Sequence, residues 1–166
     1  MVASKIEFTL LLVCLKIDLI NLKLLYKKVC IGSDHAGFRL KNFLKNELIK
    51  KNISVIDLGT LTDESTDYPD YAKKVGRRIS SKKNDIGILV CGTGTGMAIS
   101  ANKIKGIRAA VCYNFSSTRL SRQHNNANII ALGSRLTNKN KALKMVKIFL
   151  STKFEGGRHL RRIKKI

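Results

Sequence analysis

Nothing in this chain has the spacing of a structural metal site. The four cysteines, Cys14, Cys30, Cys91 and Cys112, form no C-x-x-C pair. A zinc-stapled fold is therefore not expected, no metal is implied, and a reduced, cytoplasmic setting is the simplest account of the thiols. Long apolar runs are also missing. Phe8 to Leu15 comes nearest, behind Lys5, but Lys16, Asp18 and Lys23 break its continuation, which argues against a membrane span. No small-residue cleavage pattern comes after it, and Val13 before Cys14 is wrong for a lipoprotein signal. Acidic residues are scarce: 11 against 32 lysines and arginines, a formal charge of +21. Aromatic residues make up only 6% of the chain and are not interleaved with the basic ones, so no nucleic-acid motif accompanies the charge. The basic residues read as a solvated, lysine-rich surface whose field still draws in small phosphorylated anions. A basic nucleic-acid-binding protein stays as the alternative of a different class.

What is present is enough for one globular domain: 166 residues, 44% of them apolar. Residues 1–27 stand apart as an N-terminal extension, either an added amphipathic helix or the product of an upstream start codon. Residues 28–166 alternate short apolar runs with helical periodicity. Strands are expected at Val29–Gly32, Ser54–Leu58, Ile86–Val90, Ile107–Cys112 and Ile129–Leu132. Helices are expected at Phe38–Lys51, from Pro69 to about Ser81, from the glycine loop to about Ile104, up to about His124, and at Lys139–Leu150. Pro69, the only proline, suits a first helical turn. This alternation predicts a three-layer, Rossmann-like α/β fold around a five-stranded parallel sheet. Right-handed crossovers suggest the flavodoxin-like order 2-1-3-4-5. In that order the loops after the first and third strands flank one crevice, which brings Asp34, His35 and Cys91 together.

Cys91 ends the third apolar run and begins Cys91-Gly92-Thr93-Gly94-Thr95-Gly96. A glycine-rich turn opening a helix presents backbone N–H groups to an anion, and a helix N-terminus favours the thiolate, the form that acts as a base. Dinucleotide binding fits poorly, since the glycines alternate as G-x-G-x-G and come after the third strand rather than the first. The three histidines, His35, His124 and His159, all sit among polar or glycine-rich neighbours. Each has a plain structural reading beside the chemical one: Asp34 next to His35 as a helix cap, His124 on the surface, His159 in a charged tail. Arg158 and Arg162 are four apart, so on a helix they share a face and can hold one phosphate or merely face solvent.

From about Lys27 to Arg162 the chain resembles the type B ribose-5-phosphate isomerases and the related galactose-6-phosphate isomerase subunits. The stretches that carry the resemblance are Gly32–Gly37, Thr66–Pro69, Cys91–Gly96, Ala101–Lys103, Gly106–Ala109, Ser121–Asn125, Leu132–Arg135 and Phe154–His159. It implies an aldose–ketose isomerase of the pentose phosphate pathway acting on ribose 5-phosphate and ribulose 5-phosphate, with no cofactor. A hexose 6-phosphate (galactose or allose) is the alternative substrate. Cys91 is implied as the base, and Thr93 with the amides of Gly92, Gly94, Thr95 and Gly96 as the enediolate's oxyanion site. His124 is implied to open the furanose ring with Asp34 as helper. His35, Asn125, Arg135, Arg158 and Arg162 are implied as sugar or phosphate contacts. Met97 stands where another branch of the family carries a glutamate base. The family's sites are shared across a homodimer, or a dimer of dimers, so His124 and the C-terminal arginines need not serve the Cys91 of their own chain.

Overall fold

A computed structural model describes residues 24–26, 28–81 and 85–166. Most of the 1–27 segment, including Cys14, lies outside the described residues. The elements run β1 (Lys28–Ser33), α1 (Phe38–Ile49), β2 (Ser54–Asp57), α2 (Tyr68–Ser81), β3 (Ile86–Cys91), α3 (Thr95–Asn102), β4 (Ala109–Val111), α4 (Phe115–Gln123), β5 (Ile129–Gly133), α5 (Lys139–Ser151) and α6 (Gly157–Ile163). All strand pairings are parallel. Helices cover both faces of the sheet, as an all-parallel sheet requires.

Period-two alternation sorts the strand residues between two cores. Val29, Ile31, Ile88, Val90, Ile130 and Leu132 pack under α1 and α5. Cys30, Leu89, Cys91, Ile129 and Ala131 pack under α2 and α3. Leu24 and Tyr26 lie against the first core, and the Leu25 N–H donates to the Leu150 carbonyl at 2.9 Å. The described part of the segment before residue 28 is thus attached to the domain.

The strand order departs from the expected 2-1-3-4-5: it is β2-β1-β3-β5-β4. Composition explains the exchange. β5 is Ile-Ile-Ala-Leu-Gly and is buried throughout, which suits a strand covered on both faces. β4 has only three residues, Ala109–Val111, all half-buried, and sits at the edge. The exchange sets Cys91 directly opposite Gly133, so the loop after β5 arrives beside the glycine loop. A sixth helix, α6, comes after the Lys139–Ser151 helix that the periodicity marked as the last. Gly156 and Gly157, at φ 70° and 50°, turn the chain into it.

Candidate active site

The carboxyl ends of β1, β3 and β5 frame a cleft of about 310 Å³ lined by Asp34, His35, Ala36, Tyr68, Cys91, Gly92, Thr93, Gly96 and Arg135. The crevice expected between the first and third strands is there. β3 delivers Cys91 at its last position, 5% exposed. The Gly94 N–H donates to Cys91 Sγ at 3.1 Å. An amide aimed at sulfur stabilises the negative charge a thiolate carries. Gly94 adopts φ 83° as the cap of α3, and a Cβ there would meet the Leu132 carbonyl carbon at 3.0 Å. Both the backbone turn and the approach of β5 therefore call for glycine. Cys30 and Cys112, expected as small core residues, are buried, and burial pushes both thiols up from their ordinary value.

Hydrogen bonds fix the remaining walls. Asp34, 5% exposed, accepts the Gly37 N–H at 3.0 Å; the N-cap of α1 is Gly37 rather than Asp34, so Asp34 ties the turn before the helix while lining the cleft. The Thr66 N–H donates to His35 Nδ1 at 3.1 Å. The Thr66 carbonyl lies 3.3 Å from the same nitrogen, so the tautomer decides which backbone group Nδ1 engages. The Ser134 N–H donates to the Cys91 carbonyl at 2.8 Å, and the Arg135 N–H to the Gly92 carbonyl at 3.1 Å. The Arg135 guanidinium comes so close to the glycine loop that a Cβ on Gly92 would lie 3.3 Å from it. A Cβ on Gly96 would meet the Tyr68 ring at 2.8 Å. Gly94 and Thr95 do not line the cleft: the Gly94 amide is spent on sulfur, and the Thr95 N–H donates to Thr93 Oγ1 at 3.3 Å.

Four further expected residues are not in this cleft. His124 caps the C-terminus of α4, before β5 begins, and Asn125 is next in the chain. The Asn128 carbonyl accepts the Gly87 N–H at 2.9 Å, which places this turn at the amino end of β3. Cys91 is at the other end, four strand residues on from Gly87, or roughly 13 Å. Asn125 lines a separate groove of about 330 Å³ with Asn102, Arg108 and Ile166. Arg158 and Arg162 lie on α6, one turn apart on a common face.

Two arginines hold the turn that carries His124 and Asn125. Arg108 Nε donates to the Asn125 and Asn126 carbonyls at 3.1 and 3.0 Å. Arg122, 2% exposed, donates to the Ala127 carbonyl and the Tyr26 hydroxyl, with its guanidinium over the Tyr26 and Phe149 rings. Burial pushes both guanidinium groups down from their ordinary value.

His124 is accompanied by two groups that sequence reasoning left without a role, Glu155 and His159. Their ligand-type atoms and that of His124 all lie within 4.8 Å of one another. Zinc binds each imidazole nitrogen at about 2.0–2.1 Å, in the ring plane. The two ring planes here are only 5° from parallel and do not converge on one point. The group is a charge cluster rather than a metal centre. Its sequence signal was the i, i+4 spacing of Glu155 and His159. Tyr68 was likewise passed over, although it sits in the Thr66–Pro69 stretch.

Residues 29–166 match the family model described as Ribose/Galactose Isomerase. Ribose-5-phosphate isomerase B of Escherichia coli K12 is 46% identical over 140 residues, covering 84% of this chain and 94% of that protein. The crystal structure of a ribose 5-phosphate isomerase from Thermotoga maritima is similar at 56% identity and a TM-score of 0.81, over 83% of this chain and 95% of that one. The ribose-5-phosphate isomerase B of Mycoplasma genitalium, solved with bound ribulose-5-phosphate, is 41% identical with a TM-score of 0.81, over 86% and 95% of the two chains. With this cleft, this sheet and relatives matched over nearly their whole length, the chain belongs to the ribose/galactose isomerase family of sugar-phosphate isomerases.

Proposed function

We propose that the protein interconverts ribose 5-phosphate and ribulose 5-phosphate through a cis-enediolate, with Cys91 as the base. The observation that carries this reading is Cys91 on the wall of the cleft, its sulfur held by the Gly94 amide, with Asp34, His35, Thr93 and Arg135 lining the same space. In the open-chain aldose the thiolate takes the C2 hydrogen as a proton. The C–H electron pair forms the C1–C2 double bond, and the carbonyl pair moves onto O1. Thr93 and the loop amides that line the cleft stabilise that negative oxygen, as an oxyanion hole does. The O2 hydroxyl proton passes to O1, the O2 electron pair re-forms the carbonyl at C2, and the C1–C2 double-bond pair takes the proton back from sulfur at C1. This gives the ketose, and no redox partner is needed.

Ring opening comes first and falls to His124, with Asp34 as helper. Within one chain His124 and Cys91 occupy opposite ends of the sheet, so the complete site needs a second copy. Its His124, Asn125, Arg158 and Arg162 would close this cleft, the arginines on the phosphate. Among the described residues no helix is long and apolar enough to cross a membrane, and a cytoplasmic location accords with a metabolic substrate. Residues 28–166 are taken as the catalytic unit, with 1–27 as an extension whose last residues dock on it.

A coupled assay with ribose 5-phosphate on wild type and Cys91→Ala tests the reading, with galactose and allose 6-phosphates run in parallel. Turnover of the pentose that vanishes with the thiol is expected. Unchanged turnover in the variant would remove Cys91 as the base, and preference for a hexose would reassign the substrate.

A further inference from the structure

At the end of the sheet opposite the cleft, the His124 and His159 rings are stacked, with centroids 4.2 Å apart. Glu155 turns Oε2 toward both Nε2 atoms, at 3.7 Å from His124 and 3.8 Å from His159. These are ion-pair separations rather than hydrogen bonds. Backbone bonds hold all three residues: His124 N–H to the Leu120 carbonyl at 2.9 Å, Glu155 N–H to the Gln123 carbonyl at 3.1 Å, and His159 N–H to the Gly156 carbonyl at 3.0 Å. His159 is 8% exposed, so the stack has one buried ring and one partly open ring.

We propose that His159 and Glu155 are positioning residues for His124. His159 clamps the plane of its imidazole, and Glu155 faces the charge that ring acquires on taking a proton from the sugar. This rests on the ring-opening role proposed for His124. In that step the anomeric hydroxyl gives its proton to His124 and its O–H electron pair becomes the carbonyl bond. The ring C–O bond breaks, and the released ring oxygen takes a proton from water.

The groups facing His159 are His124 from α4, Glu155 from the preceding loop, and Arg158 and Arg162 from α6. Burial holds the His159 imidazole below its ordinary value, helped by His124, Arg158 and Arg162 and opposed by Glu155. A neutral His159 stacks without charge repulsion and leaves the Glu155 carboxylate to compensate a proton on its neighbour.

With only three histidines, each ring can be tracked by NMR titration of the intact protein. His159 should titrate below an ordinary histidine, and lower still in Glu155→Gln. His159→Ala should lower conversion of ribose 5-phosphate about tenfold, and His159→Phe, which restores a flat ring, should recover most of it. Deuterium uptake from D₂O into ribulose 5-phosphate, which is acyclic and needs no ring opening, should stay near wild type in His159→Ala. Equal loss of both activities in His159→Ala, failure of Phe to rescue, or a His159 titration indifferent to Glu155→Gln would overturn the proposal. Cys91→Ala separates the two readings. If it keeps both activities the base assignment fails, while the histidine titrations still decide the positioning role.

Discussion

The two ends of the sheet are built on different principles. At the carboxyl end, Cys91 sits in a cleft whose glycine loop is held by backbone groups: the Gly94 amide on sulfur, and the Cys91 and Gly92 carbonyls tied to the loop after β5. At the amino end, His124, Glu155 and His159 form a side-chain cluster beside the arginines of α6. Its geometry depends on a stack and two ion-pair contacts. In the proposed mechanism the first end is preorganised for charge that develops on a small substrate, and the second supplies cationic and proton-transferring groups on a surface. On the proposed reading neither end alone holds a full set for sugar-phosphate isomerisation, and the roughly 13 Å of strand between them keeps one chain from joining its own halves.

Changes at the carboxyl end should have the largest effect. Cys91→Ala is expected to lower kcat for ribose 5-phosphate by about a thousandfold or more, leaving thermal stability and phosphate binding nearly intact. At the amino end the combined Arg158→Ala and Arg162→Ala change should raise KM tenfold or more with a smaller change in kcat. A flat KM would remove the phosphate role and blur the contrast between the ends.

Gly96→Ala sharpens the comparison from inside the cleft. The new Cβ would sit 2.8 Å from the Tyr68 ring, so that ring must shift. Activity should fall about tenfold, less than the roughly hundredfold cost of a full 1 Å misplacement, with little change in the denaturation midpoint. Full activity would mean that the position of Tyr68 is immaterial.

The smallest effect concerns pH and lies away from both ends. Asp57 is partly buried, which by itself raises its carboxyl. The Lys41 ammonium, the Gly59 amide and Lys45 outweigh this and hold it below the usual carboxylate range. A folded-state value below the unfolded one gives stability that is present above the unfolded value, about 3.9, and is lost as pH falls through the folded one. Asp57→Asn should therefore remove part of the acid sensitivity of unfolding. It should also lower neutral-pH stability, because Lys41, 1% exposed, loses its charge partner. Acid unfolding identical to wild type would contradict this.

The elements that build the cleft were legible because their signals are local. Ile86–Val90 is an apolar run ending at Cys91, and three alternating glycines can only be a tight turn opening a helix. The order of β4 and β5 was not legible. Ile107–Cys112 reads as a longer strand than the three residues that pair, and only burial on both faces decides which strand takes the interior. Arg135 owes its place to that exchange, although its motif had marked it. Helix α6 was hidden behind two glycines and a basic run whose charge looks like solvated tail. Stacking between His124 and His159 is a tertiary contact across 35 residues, beyond any local periodicity.

Each working site is predicted to take its thiol from one chain and its ring-opening histidine from another. Mixing Cys91→Ala and His124→Ala chains, each inactive alone, under conditions that exchange subunits measures this directly. Hybrid dimers carry one site with both groups intact, so activity is predicted to return to about a quarter of the wild-type rate at equal mixing. A mixture as inactive as its components, with subunit exchange verified by mass, would contradict the account.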